Sequence, residues 1–273
     1  MRNRKAVLPV VPYIVWMTIF IVVPLILVVA YAFSTADGGF SLENFRDLGG
    51  YSSIFVRSLG MAAVATAVSL LIGYPVAYAI ARESARTQKI MMMLIMLPMW
   101  INFLLRTYAW MSILENTGLL NRLLSLLGLP TLHIINTPAA VVLGMVYNYL
   151  PFMIMPIHSV ISKIPRAQIE AAQDLGANSL QVFTKVILPL SIPGVLSGVT
   201  MVFVPAVSTL PRSVLLGGGK ELMLGDLIEM QFLGTAYDPH LGSAIALVMM
   251  VIVLVCMGIM NRFGEGEETA VML

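Results

Sequence analysis

Six long apolar runs leave this chain little choice of fold. They cover residues 8–33, 59–80, 90–113, 138–161, 187–210 and 241–260. Each is close to the ~20 residues that a helix needs to cross the hydrocarbon layer of a bilayer. No water is available there to satisfy a backbone N–H or C=O, so a crossing segment must close its hydrogen bonds on itself, as an α-helix does. The runs therefore predict an all-α integral membrane protein in a single domain with six spans. Composition agrees: 59% of the 273 residues are hydrophobic and 11% are charged, where soluble domains carry about 25% charged residues.

The first run follows Arg2, Arg4 and Lys5, and Ala30-Tyr31-Ala32 resembles a signal-peptidase site. It is longer than the about 7–15 apolar residues of a signal sequence, and Pro9, Pro12 and Pro24 interrupt it, so it is expected to stay as the first span. Lys and Arg set the orientation. With the N-terminus inside, ten of the sixteen fall on the cytoplasmic side, including Arg82, Arg86, Lys89, Lys163, Arg166 and Lys185. Both termini and the polar segment 164–188 are then cytoplasmic. The outer side receives the polar stretch 34–57, with Asp37, Glu43 and Asp47. It also receives a short interfacial helix in which Leu119, Leu120, Leu123, Leu124 and Leu127 recur until Gly128 and Pro130. Gly217-Gly218-Gly219 turns the chain into a further helix over 222–232 that carries Asp226 and Glu229. The acidic tail 264–273 is expected to be loose.

Several chemistries are excluded. Gly217–Lys220 is no phosphate loop, because Val214 and Glu221 occupy the positions that need glycine and Ser or Thr. There is no H-E-x-x-H, no G-x-S-x-G and no Cys/His cluster. His133, His158 and His240 are scattered, and Cys256 and the methionines suit packing. No catalytic residue, metal site or resident cofactor is expected. A net charge of +2 without an aromatic-basic signature gives no nucleic-acid partner.

The segment 164–190 spells two short helices. Pro165 suits a helix start, Ala167 to Leu175 are mostly good helix formers, and Gly176 can take the left-handed conformation that ends a helix. Asn178 can cap a second helix with Gln181 as its reciprocal partner, and Pro189 interrupts that helix. Ala171 and Ala172 present a smooth surface that another protein can approach closely.

Glu170-Ala171-Ala172, three residues, Gly176, nine residues, Val186, one residue and Leu188-Pro189 resemble the EAA loop of permease subunits of ABC importers. Val186 stands where that family usually has Ile. The resemblance implies a six-span type I permease whose cytoplasmic helix pair couples to an ATPase through Glu170, Ala171, Ala172, Asp174, Gly176 and Ala177. Leu97-Pro98-Met99-Trp100-Ile101-Asn102, continuing to Leu105-Arg106-Thr107-Tyr108-Ala109-Trp110, resembles the L-P-x-W-x-N-x-L-x-R-T-Y-A-W segment of polyamine-type permeases. Asn44-Phe45 with Tyr51 resembles their N-F-x-x-L pattern, and Phe203-Val204-Pro205-Ala206 with Leu215-Leu216-Gly217-Gly218 resembles F-x-P-A…L-L-G-G. Ser208 and Thr209 replace a Gly-Glu pair common in relatives.

The resemblance covers residues 9–260 and is strongest to spermidine/putrescine permeases of the B type in the bacterial inner membrane. It implies two ATPase subunits that hold ATP and Mg, a second, PotC-like permease chain and an extracytoplasmic binding protein. Iron, thiamine, sulfate or phosphonate remain as other ABC cargoes. A stand-alone secondary transporter would need paired mid-membrane ionisable groups and inverted repeats, and neither is present.

Candidate path residues are Trp100, Asn102, Arg106, Tyr108, Trp110, Tyr147 and Asp226. Arg106 is the one ionised side chain placed inside a span, and such residues are functional by default. It can bond carbonyls and tie span three to a neighbour, snorkel to the outer interface, or line the path. An ammonium over an aromatic face gains roughly 0.5–2 kcal/mol, although the same aromatics also suit an interfacial belt. Asp226, Glu229 and Asp37 can supply negative potential at the outer mouth or stay as solvated loop acids. Prolines 98, 151, 156, 189, 193 and 205 predict bends in spans three to five.

Overall fold

A computed structural model describes residues 11–35, 38–208, 216–219, 222–234 and 237–271. Asp37, Thr209, Leu215 and Lys220 lie outside these. Regular structure among the described residues is helical, with one isolated bridge between Ser34 and Phe40. Among the described residues, five helices are long and apolar enough to cross a membrane, and six if one bent pair counts as a span. The chain divides into two compact units, Met1–Ser53 with Leu227–Val253, and Ile54–Asp226 with Leu254–Leu273.

The first unit opens with α1, Val11–Ala32. A π-helical turn over Thr18–Val22 precedes Pro24. Proline has no N–H, and its ring crowds the carbonyl four residues back, here that of Phe20. The widened turn absorbs that crowding. Only Ala32 is buried, which suits a helix whose apolar side chains can face lipid on every side. After α1, Asn44 at the start of α2 (Glu43–Asp47) donates through Nδ2 to the carbonyls of Ala32 and Ser34, 3.0 Å each. Phe45 packs on Phe33 with ring centroids 4.8 Å apart. The Asn44-Phe45 pair is thus a clamp that closes the turn out of α1. His240 Nδ1 lies 3.2 Å from both Ser34 Oγ and the Tyr31 carbonyl.

The second unit is built on α3 (Ser52–Ala81), α7 (Pro138–Ile161) and α10 (Leu188–Val207). Glycines let these helices approach closely, as small residues do in membrane bundles. A Cβ on Gly73 would come 3.0 Å from Met153 Cγ, one on Gly198 2.8 Å from Met153 Sδ, and one on Gly194 2.9 Å from the Pro156 carbonyl. Helix α3 starts at Ser52, seven residues ahead of the expected span, so Arg57 belongs to it.

The third run predicts one helix over 90–113, and the structure breaks it in two. Helix α4 covers Ala85–Met96, a 3₁₀ turn covers Leu97–Trp100, and α5 covers Phe103–Leu114. Across the break, Ala85–Trp100 and Phe103–Leu126 are bent by 91°. Pro98 cannot continue the backbone ladder, and Asn102 restarts it, its Oδ1 accepting the Leu104 N–H at 2.9 Å. Helix α6, Leu119–Leu126, follows and matches the leucine periodicity. Asn121 pins it by donating to the Glu115, Asn116 and Leu132 carbonyls.

Helices α8 (Arg166–Asp174) and α9 (Ser179–Val182) form the expected short pair. Pro165 is the residue before the first helical position, a shift of one. A second π turn, Phe183–Ile187, joins α9 to α10, so Pro189 widens the helix ahead of it without interrupting the run. Helix α11 covers Leu224–Leu233, and α12 runs from Pro239 to Val271. The tail expected to be loose from 264 is helical to Val271, where Glu and Ala extend a ladder the preceding span has already nucleated.

Candidate functional site

The helix pair α8–α9 is held by its own backbone chemistry. Gly176 adopts φ +86°, the left-handed conformation that ends α8. Two residues later a capping box closes both ways: Gln181 N–H donates to Asn178 Oδ1 and Asn178 N–H to Gln181 Oε1, each at 2.9 Å. The turn is therefore rigid, and it fixes the angle between the two helices. Glu170, Ala171, Asp174 and Gly176 are exposed, while Ala172 and Ala177 are half-buried. Leu175 is 90% exposed, the most exposed large apolar side chain among the described residues, and Leu180 is 70% exposed. Two leucines turned to water beside a smooth Ala-Ala face are what a docking surface needs. The sequence motif did not single them out, since only exposure distinguishes them from core leucines.

Behind the pair lies a cavity of about 450 Å³. Ile169, Glu170 and Gln173 of α8 line one side, and Tyr78, Arg82 and Glu83 line the other. The base of this region is tied by Gln88, whose Nε2 donates to the carbonyls of Ala81 (3.1 Å) and Glu83 (2.9 Å). Gln88 Oε1 lies 3.2 Å from His158 Nε2, which is 3.2 Å from Ser162 Oγ. A single amide thus joins the end of α3, the start of α4 and the last turn of α7.

The expected path residues are only partly brought together. Trp110 and Tyr147 meet edge to face with centroids 5.3 Å apart. Trp100 is 80% exposed in the 3₁₀ turn, and Tyr108 is exposed on α5. Asn102 serves as the cap of α5. Arg106 is half-buried, and its Nε is buried with no hydrogen-bond partner among the described residues.

Asp226 is 3% exposed, not solvated at a mouth. Its Oδ2 accepts the Met223 N–H at 2.9 Å, and Ser58 Oγ accepts the next N–H, from Leu224, at 2.9 Å. Both are orphan donors at the start of α11, which is why the acid is drawn in. Sequence reasoning also passed over Asn148. It is buried on α7, with its Nδ2 donating to the Gly144 carbonyl at 2.7 Å and its Oδ1 unpartnered among the described residues. Tyr149 beside it donates to the Pro205 carbonyl at 3.2 Å.

Residues 69–265 match the family model described as "Binding-protein-dependent transport system inner membrane component". The chain is 38% identical over 247 residues to the spermidine/putrescine transport system permease protein PotB of Haemophilus influenzae, covering 87% of this chain and 86% of the relative. It is 35% identical over 247 residues to the protein of the same name from Escherichia coli, covering 87% and 90%. Among solved structures, a bacterial ABC transporter involved in the import of alginate matches with TM-score 0.78 at 21% identity, over 97% of this chain and 96% of that one. The MetNI methionine ABC transporter in an inward-facing conformation matches with TM-score 0.58 at 20% identity, over 79% and 95%. These two show a shared fold. With a family model that covers most of its length and relatives this similar, the chain belongs to the inner-membrane components of binding-protein-dependent transport systems.

Proposed function

We propose that this chain is the permease subunit of a bacterial ABC importer for polyamines, and that α8–α9 is its coupling element. The observation that carries the coupling role is the rigid, capped turn at Gly176 with Leu175 and Leu180 turned outward. Burying a leucine is worth about 1.5–3 kcal/mol, so these two alone supply a sizeable part of a docking energy. The partner is an ATPase subunit that holds ATP and Mg. Its closure pushes on the pair. Ala171 and Asp174 lie on the exposed side of α8 and contact it, and Glu170, at the edge between that side and the cavity, contacts it as well.

The importer holds two such ATPases, a second PotC-like permease chain and an extracytoplasmic binding protein. Both termini and α8–α9 face the cytoplasm, as the Lys and Arg distribution supports. The polyamine cargo is supported by the similarity to spermidine/putrescine permeases over 87% of the chain. Trp110 and Tyr147 offer a paired aromatic surface to an ammonium. Asp226 Oδ2 holds the start of α11 by accepting the Met223 N–H, so we place this residue in a structural role beside the path.

The test is uptake by the assembled importer in proteoliposomes, with labelled spermidine, thiamine and ferric iron offered through the cognate binding protein. ATP-dependent accumulation of spermidine alone is expected. Accumulation of thiamine or iron in its place would overturn the cargo, and uptake without ATP would overturn the importer class.

A further inference from the structure

Phe183 stands at the first position of the π turn, where the helix pair passes into α10. Its ring meets Tyr78 of α3 at 5.3 Å and 70°, and Tyr74 of α3 at 5.9 Å and 85°. Tyr74 and Tyr78 are four residues apart, so they lie one above the other on one face of α3. Phe183 is keyed edge-on between them, a geometry that aromatic pairs prefer. Tyr74 is further tied to α10: its hydroxyl lies 2.7 Å from Ser191 Oγ. Ser191 gives its own hydrogen to the Leu188 carbonyl at 2.8 Å, so Tyr74 is the donor. Below, the Arg82 guanidinium lies 5.5 Å over the Tyr78 ring and donates to its hydroxyl at 3.4 Å.

Behind the helix pair is the cavity, lined by Ile169 and Gln173 of α8 and by Ser179 and Val182 of α9, so the pair has room to move against the bundle. At the far end of the pair, Phe183 is gripped by α3. The π turn itself is a place where backbone ladders are loosened and where helices change direction.

We propose that the Phe183–Tyr74–Tyr78 contact is the joint through which movement of α8–α9 reaches α3, with the Tyr74–Ser191 hydrogen bond making α3 and α10 move together. Phe183, Tyr74 and Tyr78 are positioning residues: they touch neither cargo nor ATP and act by passing displacement from one helix to another. The inference rests on the coupling role of α8–α9 given under Proposed function.

The assay measures labelled spermidine uptake and ATP hydrolysis in the same proteoliposomes, using the complete importer. Phe183→Ala is expected to lower spermidine moved per ATP by at least about fivefold, in the range of ordinary coupling between sites. Co-purification with the ATPase stays at the native level, and Phe183→Tyr restores the ratio because it keeps the ring. Tyr78→Ala lowers the ratio in the same way. The double variant is no worse than the worse single one, since both remove one contact. A native ratio in Phe183→Ala, or losses that multiply in the double variant, would overturn the joint. If Phe183→Ala does not reach the membrane, Tyr78→Ala decides in its place: a reduced ratio supports the joint, and a native ratio refutes it. Gly176→Arg, measured alongside, separates the two levels. Uncoupling by Gly176→Arg with native coupling in Phe183→Ala removes the joint only, whereas normal transport by Gly176→Arg removes the coupling role itself.

Discussion

Tyr74 on α3 donates its hydroxyl hydrogen to Ser191 on α10 across 2.7 Å. Two residues 117 positions apart in sequence, on two different spans, are joined there by one short, part-buried hydrogen bond. A typical intramolecular hydrogen bond contributes about 0.5–1.5 kcal/mol net. Tyr74→Phe keeps the ring against Phe183 and removes only the bond. The melting temperature of the purified complex should fall by about 2–4 °C, the shift that ~1 kcal/mol produces at this size. A thermal-shift measurement in detergent checks it.

Gly194 and Gly198 face α7 in different ways. A Cβ at Gly194 meets the Pro156 carbonyl at 2.9 Å and the Ile157 Cα at 3.1 Å, both backbone. A Cβ at Gly198 first meets the Met153 thioether at 2.8 Å, although the Met153 carbonyl follows at 3.1 Å. Backbone cannot yield, while a methionine side chain can swing aside. Gly194→Ala should therefore cost more stability than Gly198→Ala, within the ~1–3 kcal/mol typical of overpacking. Expression level and melting temperature of the two variants give the ranking.

Asp226 is a structural acid. Replacing it by Ala removes the acceptor of the Met223 N–H inside a buried site. A lost helix cap costs about 0.5–2 kcal/mol, so the yield of folded protein should drop. Asp226→Asn, which keeps an acceptor oxygen, should recover most of it. The apparent KM for spermidine in Asp226→Asn should stay at the native value. A raised KM would return this residue to the cargo path.

Leu175 and Leu180 should matter only in the assembly. Leu175→Ser and Leu180→Ser leave the isolated permease unaffected, because both side chains already face solvent. Each should weaken retention of the ATPase by about tenfold or more, from the ~1.5–3 kcal/mol of lost burial. Co-purification at graded salt and ATPase concentration reads the difference.

Much of this structure is legible in the sequence, and the illegible parts have physical causes. Span 138–161 is a clean apolar run with a proline at its start, and its helix is Pro138–Ile161. The turn at Gly176 and the Asn178–Gln181 box follow from local backbone chemistry, so they can be read without any tertiary contact. Pro98 predicts a bend in the third span, but the extent of the break at Leu97–Asn102 was hidden because hydropathy runs straight through it. Only the pairing of Pro98 with a capping Asn102 marks it. Asp226 looks like a loop acid until Ser58 and the start of α11 are seen beside it. The grip of Tyr74 and Tyr78 on Phe183 joins residues more than a hundred positions apart, and no periodicity carries that information.

The central claim is that residues 164–188 transmit the ATPase stroke, and Gly176 gives the most direct access to it. Its φ of +86° suits glycine, and a Cβ there would meet nothing within 4 Å, so a substitution strains the turn and disturbs the docking face without crowding the bundle. A non-glycine residue in this conformation costs roughly 1–2 kcal/mol. The decisive measurement is spermidine uptake together with ATP hydrolysis by the reconstituted importer carrying Gly176→Arg. Normal membrane insertion, continued hydrolysis and loss of uptake are predicted. Uptake at the native rate would contradict the account.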